Sequence, residues 1–186
     1  MDIPMTYCQA VLRLDETNRH KIYHDKHYGF PIHDDAQLFG RLILEINQAG
    51  LSWDTILRKQ DAFYEAYDHY DIAKIAAYQD ADKARLLANP GIIRNRLKIA
   101  AAIHNANVVL ALQKEYGSFE AWLDFHHPKS LPEWTKLFKQ TFRFVGGEIV
   151  NEFLMSTGYL KGSHELSCPI HAAILQAKPA WTRTLE

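Results

Sequence analysis

The chain of 186 residues is long enough for one medium domain or two small lobes sharing a core. Its formal net charge of −1 supplies no global pull towards nucleic acid, so any DNA contact must come from local basic clusters or backbone amides. No apolar run approaches the ~20 residues of a membrane span, and no basic segment leads into an apolar core at the N-terminus, so a cytoplasmic protein without a membrane partner is expected.

Apolar spacing is helical throughout and no sustained period-two alternation occurs, which predicts one all-α unit. Asp34 and Asp35 open a helix that carries Leu38, Phe39, Leu42, Ile43 and Ile46 at three- and four-residue spacings. Its end, LEINQAGLSW, puts Glu45 among apolar neighbours, follows it with Gln48, breaks at Gly50 and delivers Trp53. A carboxylate on an apolar helix is costly unless something polar or cationic meets it. An aromatic face nearby suits a flat, electron-poor ligand, so the three side chains together suggest a pocket for a charged nucleobase. An ion pair or a cap for Glu45, and core packing for Trp53, are the ordinary alternatives.

Further helices are predicted over Trp53–Tyr67, Ile72–Tyr78 and Asp80–Leu87. Asn89-Pro90-Gly91 forces a turn, and a long helix follows from about Arg94 to Glu115, with Ile99, Ile103, Ala106 and Leu110 on one side. The stretch LLANPGIIRNRLKI therefore reads as helix, tight turn, helix. Such a turn leaves the first amides of the second helix open to a phosphate, around Gly91, Ile92 and Ile93, with Arg94 and Arg96 adding charge. This fits a helix-hairpin-helix DNA anchor, and an ordinary αα-hairpin shows the same pattern. The basic clusters Arg94/Arg96/Lys98, Arg58/Lys59 and Lys136/Lys139/Arg143, each taken alone, read as solvated faces. Downstream, helices are predicted over Phe119–Phe125, Leu131–Gln140 and Glu148–Thr157, with Gly158 stopping the last.

HELSC places His164 and Cys168 with three residues between them, and Cys8 and His24 lie near the other end of the chain. Together they would make a tetrahedral Cys₂His₂ site, whose closed shell argues for a structural metal tying the two termini together. His171 rivals His164, and His20 or His27 rivals His24. Two buried free thiols with incidental histidines is the competing reading.

In combination, YHDKHYG, LEINQAGLSWDTILRK, NPGIIRNRLKI, FRFVGGEIV and HELSC occur in the order that resembles the DNA-3-methyladenine glycosylase I family, a branch of the helix-hairpin-helix glycosylases. The similarity runs from about Cys8 to Cys168, and the tail beyond adds nothing to it. The resemblance implies an all-α fold of two helical lobes, with one zinc joining the termini through Cys8, His24, His164 and Cys168. It implies removal of 3-methyladenine from double-stranded alkylated DNA; no protein partner is implied, and a monomer is expected. Glu45 falls on the recognition carboxylate of the family, Tyr23 and Trp53 fall on pocket aromatics, and Gln48 and Tyr28 are further candidates for contact with the base. No lysine stands out as a Schiff-base former, so a monofunctional hydrolase is expected. Cys8-Gln9-Ala10 replaces the usual Cys-Gly-Trp, and Tyr28 stands where a tryptophan is usual, so altered pocket walls are expected. Two other functions fit the same residues: a DNA-binding protein of this fold that has lost excision, and a zinc-stabilised helical interaction domain.

Overall fold

The computed structural model describes residues 5–183, and among them the regular structure is helical with no strand. The chain forms two compact units. One is contiguous, Ile32–Phe153, and the other combines residues 1–31 with 154–186. Among the described residues no helix is long and apolar enough to cross a membrane.

The segment before the contiguous unit carries two short helices, α1 (Tyr7–Val11) and α2 (Arg19–Lys26). Helix α3 (Asp35–Gln48) starts where Asp34 accepts a hydrogen bond from the Gln37 amide at 2.8 Å. It buries Leu38, Phe39, Leu42, Ile43 and Ile46 along the predicted stripe. Gly50, at φ +81°, turns the chain into α4 (Trp53–Ala66), which Ser52 caps. Asp68, His69 and Tyr70 then all take left-handed backbone angles, φ 49°, 59° and 61°. Such angles cost a non-glycine residue ~1 kcal/mol or more each. The turn seats the Tyr70 ring against Gly40 of α3, where a Cβ would lie 2.2 Å from Tyr70 Cδ2.

Helices α5 (Ile72–Ala76), α6 (Asp80–Ala88) and α7 (Arg96–Tyr116) follow. The buried face of α7 runs through Ile99, Ala102, Ala106 and Val109, with Ile103 and Leu110 only partly covered. Helix α8 (Phe119–His126) is held to the start of α3 by Asp35, whose carboxylate accepts from the amides of Phe119 (2.8 Å) and Glu120 (3.2 Å) and from Gln113 Nε2 (2.7 Å). Helices α9 (Leu131–Thr141) and α10 (Gly147–Ser156) complete this unit, and α10 carries the chain across its boundary at Phe153–Leu154. Phe119, Trp122, Phe138, Phe142 and Phe153 form an aromatic core with ring centroids 5.3–6.1 Å apart in the contacting pairs.

The terminal unit contains α1, α2 and α11 (His171–Gln176) with the turn Ala180–Thr182. None of these three short helices, five to eight residues each, was predicted from the apolar spacing. The tail after Cys168 contributes to this unit's packing. The Trp181 amide donates to Gly158 O at 3.2 Å, and a Cβ on Gly158 would meet Pro179 Cβ at 2.8 Å.

Candidate functional sites

Glu45 lies in the last turns of α3 and is 3% exposed. Among the described residues no hydrogen bond or ion pair reaches its carboxyl. Burial pushes its pKa up to about 8, opposed by Arg41 one turn earlier on the same helix and reinforced by the charge of Glu152. The carboxyl is therefore buried, and the charge that offsets its desolvation is that of Arg41 rather than a direct ion pair. Gln48 closes the helix, its Nε2 donating to Leu51 O at 3.4 Å. Trp53, half-buried, is the first residue of α4. The turn between them lines a cavity of about 520 Å³ with Gln48, Ala49, Gly50, Leu51 and Ser52 on one wall and Gly146–Ile149 on the other. Tyr23 and Tyr28 belong to the terminal unit, both buried, their rings 5.5 Å apart and tilted by 32°.

The turn between α6 and α7 shows which amides are open. Asn89 Oδ1 accepts from the Gly91 amide at 2.8 Å, and Asn95 Oδ1 accepts from Leu97 (2.9 Å) and Lys98 (3.1 Å). Asn95 thus caps α7, which is why the helix starts two residues later than predicted. Among the described residues the amides of Ile93, Arg94 and Arg96 keep no internal partner. Ile92 is buried and anchors the turn, whereas Arg94 and Arg96 are exposed. Gly91 permits close packing on α4, since a Cβ there would lie 2.9 Å from Ala62 Cβ.

Of the basic clusters expected to be solvated, two contain residues with internal partners. Lys98 is 4% exposed, with its ammonium on main-chain carbonyls, and Lys59 donates to Pro90 O and Gly91 O. Arg58 pairs with Asp54 at the surface. Lys136, Lys139 and Arg143 are exposed. Nothing in the local sequence marked Lys98 as buried, because its position on the covered side of α7 depends on what packs there.

In the terminal unit Cys8, His24, His164 and Cys168 converge, all buried, with their ligand atoms within 4.8 Å of one another. Cys8 Sγ lies 3.3 Å from His24 Nε2 and 3.9 Å from His164 Nδ1, and Cys168 Sγ lies 3.7 and 3.5 Å from the same two atoms. Both rings are oriented through their other nitrogen: His24 Nδ1 meets Asp25 Oδ1 at 2.6 Å, and His164 Nε2 meets Tyr28 O at 2.7 Å. Burial pushes the Cys8 thiol up to about 11 and draws the His164 pKa down. Gly29, at φ +86°, makes room for this loop, since a Cβ would fall 2.2 Å from Ser163 Oγ. These four side chains can hold a metal ion. His20 and His171 are not in the cluster.

Similarity to known proteins covers most of the chain. The family described as methyladenine glycosylase matches residues 14–136. The DNA-3-methyladenine glycosylase 1 of Escherichia coli K12 is 33% identical over 165 residues, 78% of this chain and 88% of the relative. The DNA-3-methyladenine glycosylase of Haemophilus influenzae Rd is 34% identical over 166 residues, covering 79% and 89%. The solved 3-methyladenine DNA glycosylase I of Staphylococcus aureus, whose structure addresses 3-methyladenine recognition, superposes with a TM-score of 0.76 at 30% identity, covering 84% of this chain and 93% of that one.

Proposed function

The chain belongs to the methyladenine glycosylase family, and from that premise we propose that it hydrolyses the N-glycosidic bond of 3-methyladenine in double-stranded alkylated DNA. The observation that carries this reading is Glu45: a buried carboxyl with no internal partner, on the helix that ends at the Gln48–Ser52 turn. Alkylation at N3 makes the purine a cation and weakens its bond to deoxyribose. The target nucleotide leaves the stack, and Glu45 in its carboxylate form accepts hydrogen bonds from the base edge and balances the positive charge. Trp53 offers an aromatic face to the cation, a contact of ~0.5–2 kcal/mol. When the C1′–N9 bond breaks, its electron pair passes to the purine, which departs neutral. Water then adds to C1′ and releases one proton to solvent. Because the leaving group carries its own charge, no strong general acid is required.

The open amides of Ile93, Arg94 and Arg96, with the two exposed guanidinium groups, support a helix-hairpin-helix grip on a phosphate. For the metal we favour zinc. A tetrahedron with the usual Zn–S and Zn–N lengths has S···N edges of about 3.6 Å, and the four separations, 3.3 to 3.9 Å, bracket it. When bound, zinc supplies a structural tie between the two terminal segments. We read the protein as a cytoplasmic monomer.

Release of free 3-methyladenine from methylated duplex DNA tests the assignment. Wild type is expected to release it and Glu45→Gln to lose at least about a hundredfold in rate, the scale of removing one charged contact to the reacting group. No release by wild type overturns the enzyme assignment, and equal release by both removes Glu45 from its role.

A further inference from the structure

We propose that Lys98 is a positioning residue for base excision, and that with Lys59 it locks the DNA-gripping turn and the base-site turn into one rigid unit. The two contacts are reciprocal. The turn at residues 47–52 leads into α4, and α4 supplies Lys59, whose Nζ donates to Pro90 O (2.9 Å) and Gly91 O (3.3 Å) in the other turn. That second turn leads into α7, and α7 supplies Lys98, whose Nζ donates to Asn47 O (2.9 Å) and Ala49 O (2.7 Å) in the first. Each turn is thus held by the helix that the other one starts.

The chemistry of Lys98 argues for more than filling. An ammonium withdrawn from water costs several kcal/mol unless its donors are satisfied. Here two donors meet carbonyls at the C-terminal end of α3, where the helix dipole favours a cation. The Phe144 ring lies 5.8 Å from the same nitrogen. Two turns further along α7, buried Asn105 takes the Arg143 backbone with both ends of its amide, accepting from the Arg143 amide at 2.8 Å and donating to the Arg143 carbonyl at 3.1 Å. That clamp fixes the segment entering Phe144, which stands at φ +60°, and leading to Gly146. One face of α7 therefore sets both walls of the cavity between Gln48–Ser52 and Gly146–Ile149, while the turn that leads into α7 carries the phosphate grip. Anchoring the phosphate places the base-site turn.

This inference rests on the excision activity proposed above, and the experiment separates the two. Single-turnover release from methylated duplex is measured at saturating enzyme, alongside affinity for undamaged duplex and the far-UV circular dichroism. Lys98→Met is expected to lose about tenfold or more in the saturated rate, as small misplacements near a reacting group do. Its undamaged-DNA affinity should stay within about threefold and its helical signal unchanged, a split between the chemical step and binding. Lys59→Met should show the same split to a smaller degree, and the double variant should fall short of the product of the two losses. If Lys98→Met does not fold, Lys59→Met carries the test through the same split. A saturated rate within twofold of wild type in the folded variants overturns the positioning role, as does a parallel loss of rate, affinity and helicity. A wild type that releases no base overturns the excision reading and this inference with it.

Discussion

At neutral pH a carboxyl with a pKa of about 8 is mostly protonated in the ligand-free protein, so in the proposed reaction Glu45 ionises to meet the cationic base. Two consequences follow. For the free enzyme, kcat/KM should rise with pH through about 8, whereas the corresponding limb of kcat should lie lower, because the bound cation favours the carboxylate. A pH–rate profile that stays flat from 5 to 9 in both parameters speaks against this role. On stability the sign is opposite. The folded-state pKa stands above the unfolded value of 4.5, so folding favours the protonated form, and stability is lost as pH rises from there through about 8. Glu45→Gln should therefore melt higher than wild type, by a few degrees at pH 9 and by little at pH 5. Differential scanning at the two pH values checks it. Glu45 was legible in the sequence as an acid out of place on an apolar helix. Lys98 was not, because its burial depends on the C-terminal turn of a helix fifty residues away.

Among the elements, α3 was readable at both ends: Asp34 caps it and Gly50 breaks it where the apolar spacing stops. The start of α7 was misplaced by two residues because Asn95, rather than the first basic residue, supplies the cap. The left-handed run Asp68–Tyr70 had no signal, since none of its residues is a glycine and the turn exists by virtue of Tyr70 packing on Gly40. That cap also sorts the turn's amides into those already bonded and those open to a phosphate. Replacing Arg94 or Arg96 by alanine should weaken binding to any duplex alike and reduce the slope of log K against log salt by about one each. Titrations at several salt concentrations would show it, and an unchanged slope in both variants would place the phosphate contact elsewhere.

At the scale of the whole molecule, the Cys₂His₂ cluster, read above as a zinc site, joins side chains 160 positions apart, Cys8 and Cys168, both buried. Removing the metal should lower the melting temperature and open both thiols to a bulky disulfide reagent. Cys168→Ser should bring the metal content from one equivalent to near none, and full retention would overturn the four-residue set. The convergence of these four side chains was legible in part, from the HELSC spacing of His164 and Cys168. Their outer supports, Asp25 and the Tyr28 carbonyl, were not, because a backbone acceptor leaves no trace in residue type. The middle unit is one uninterrupted stretch, and domains generally fold as units while the chain is still emerging from the ribosome. The first thirty-one residues have no such option. Synthesised before the middle, they are completed after it, since half of the Cys₂His₂ cluster and the whole of α11 arrive only once the middle has been made.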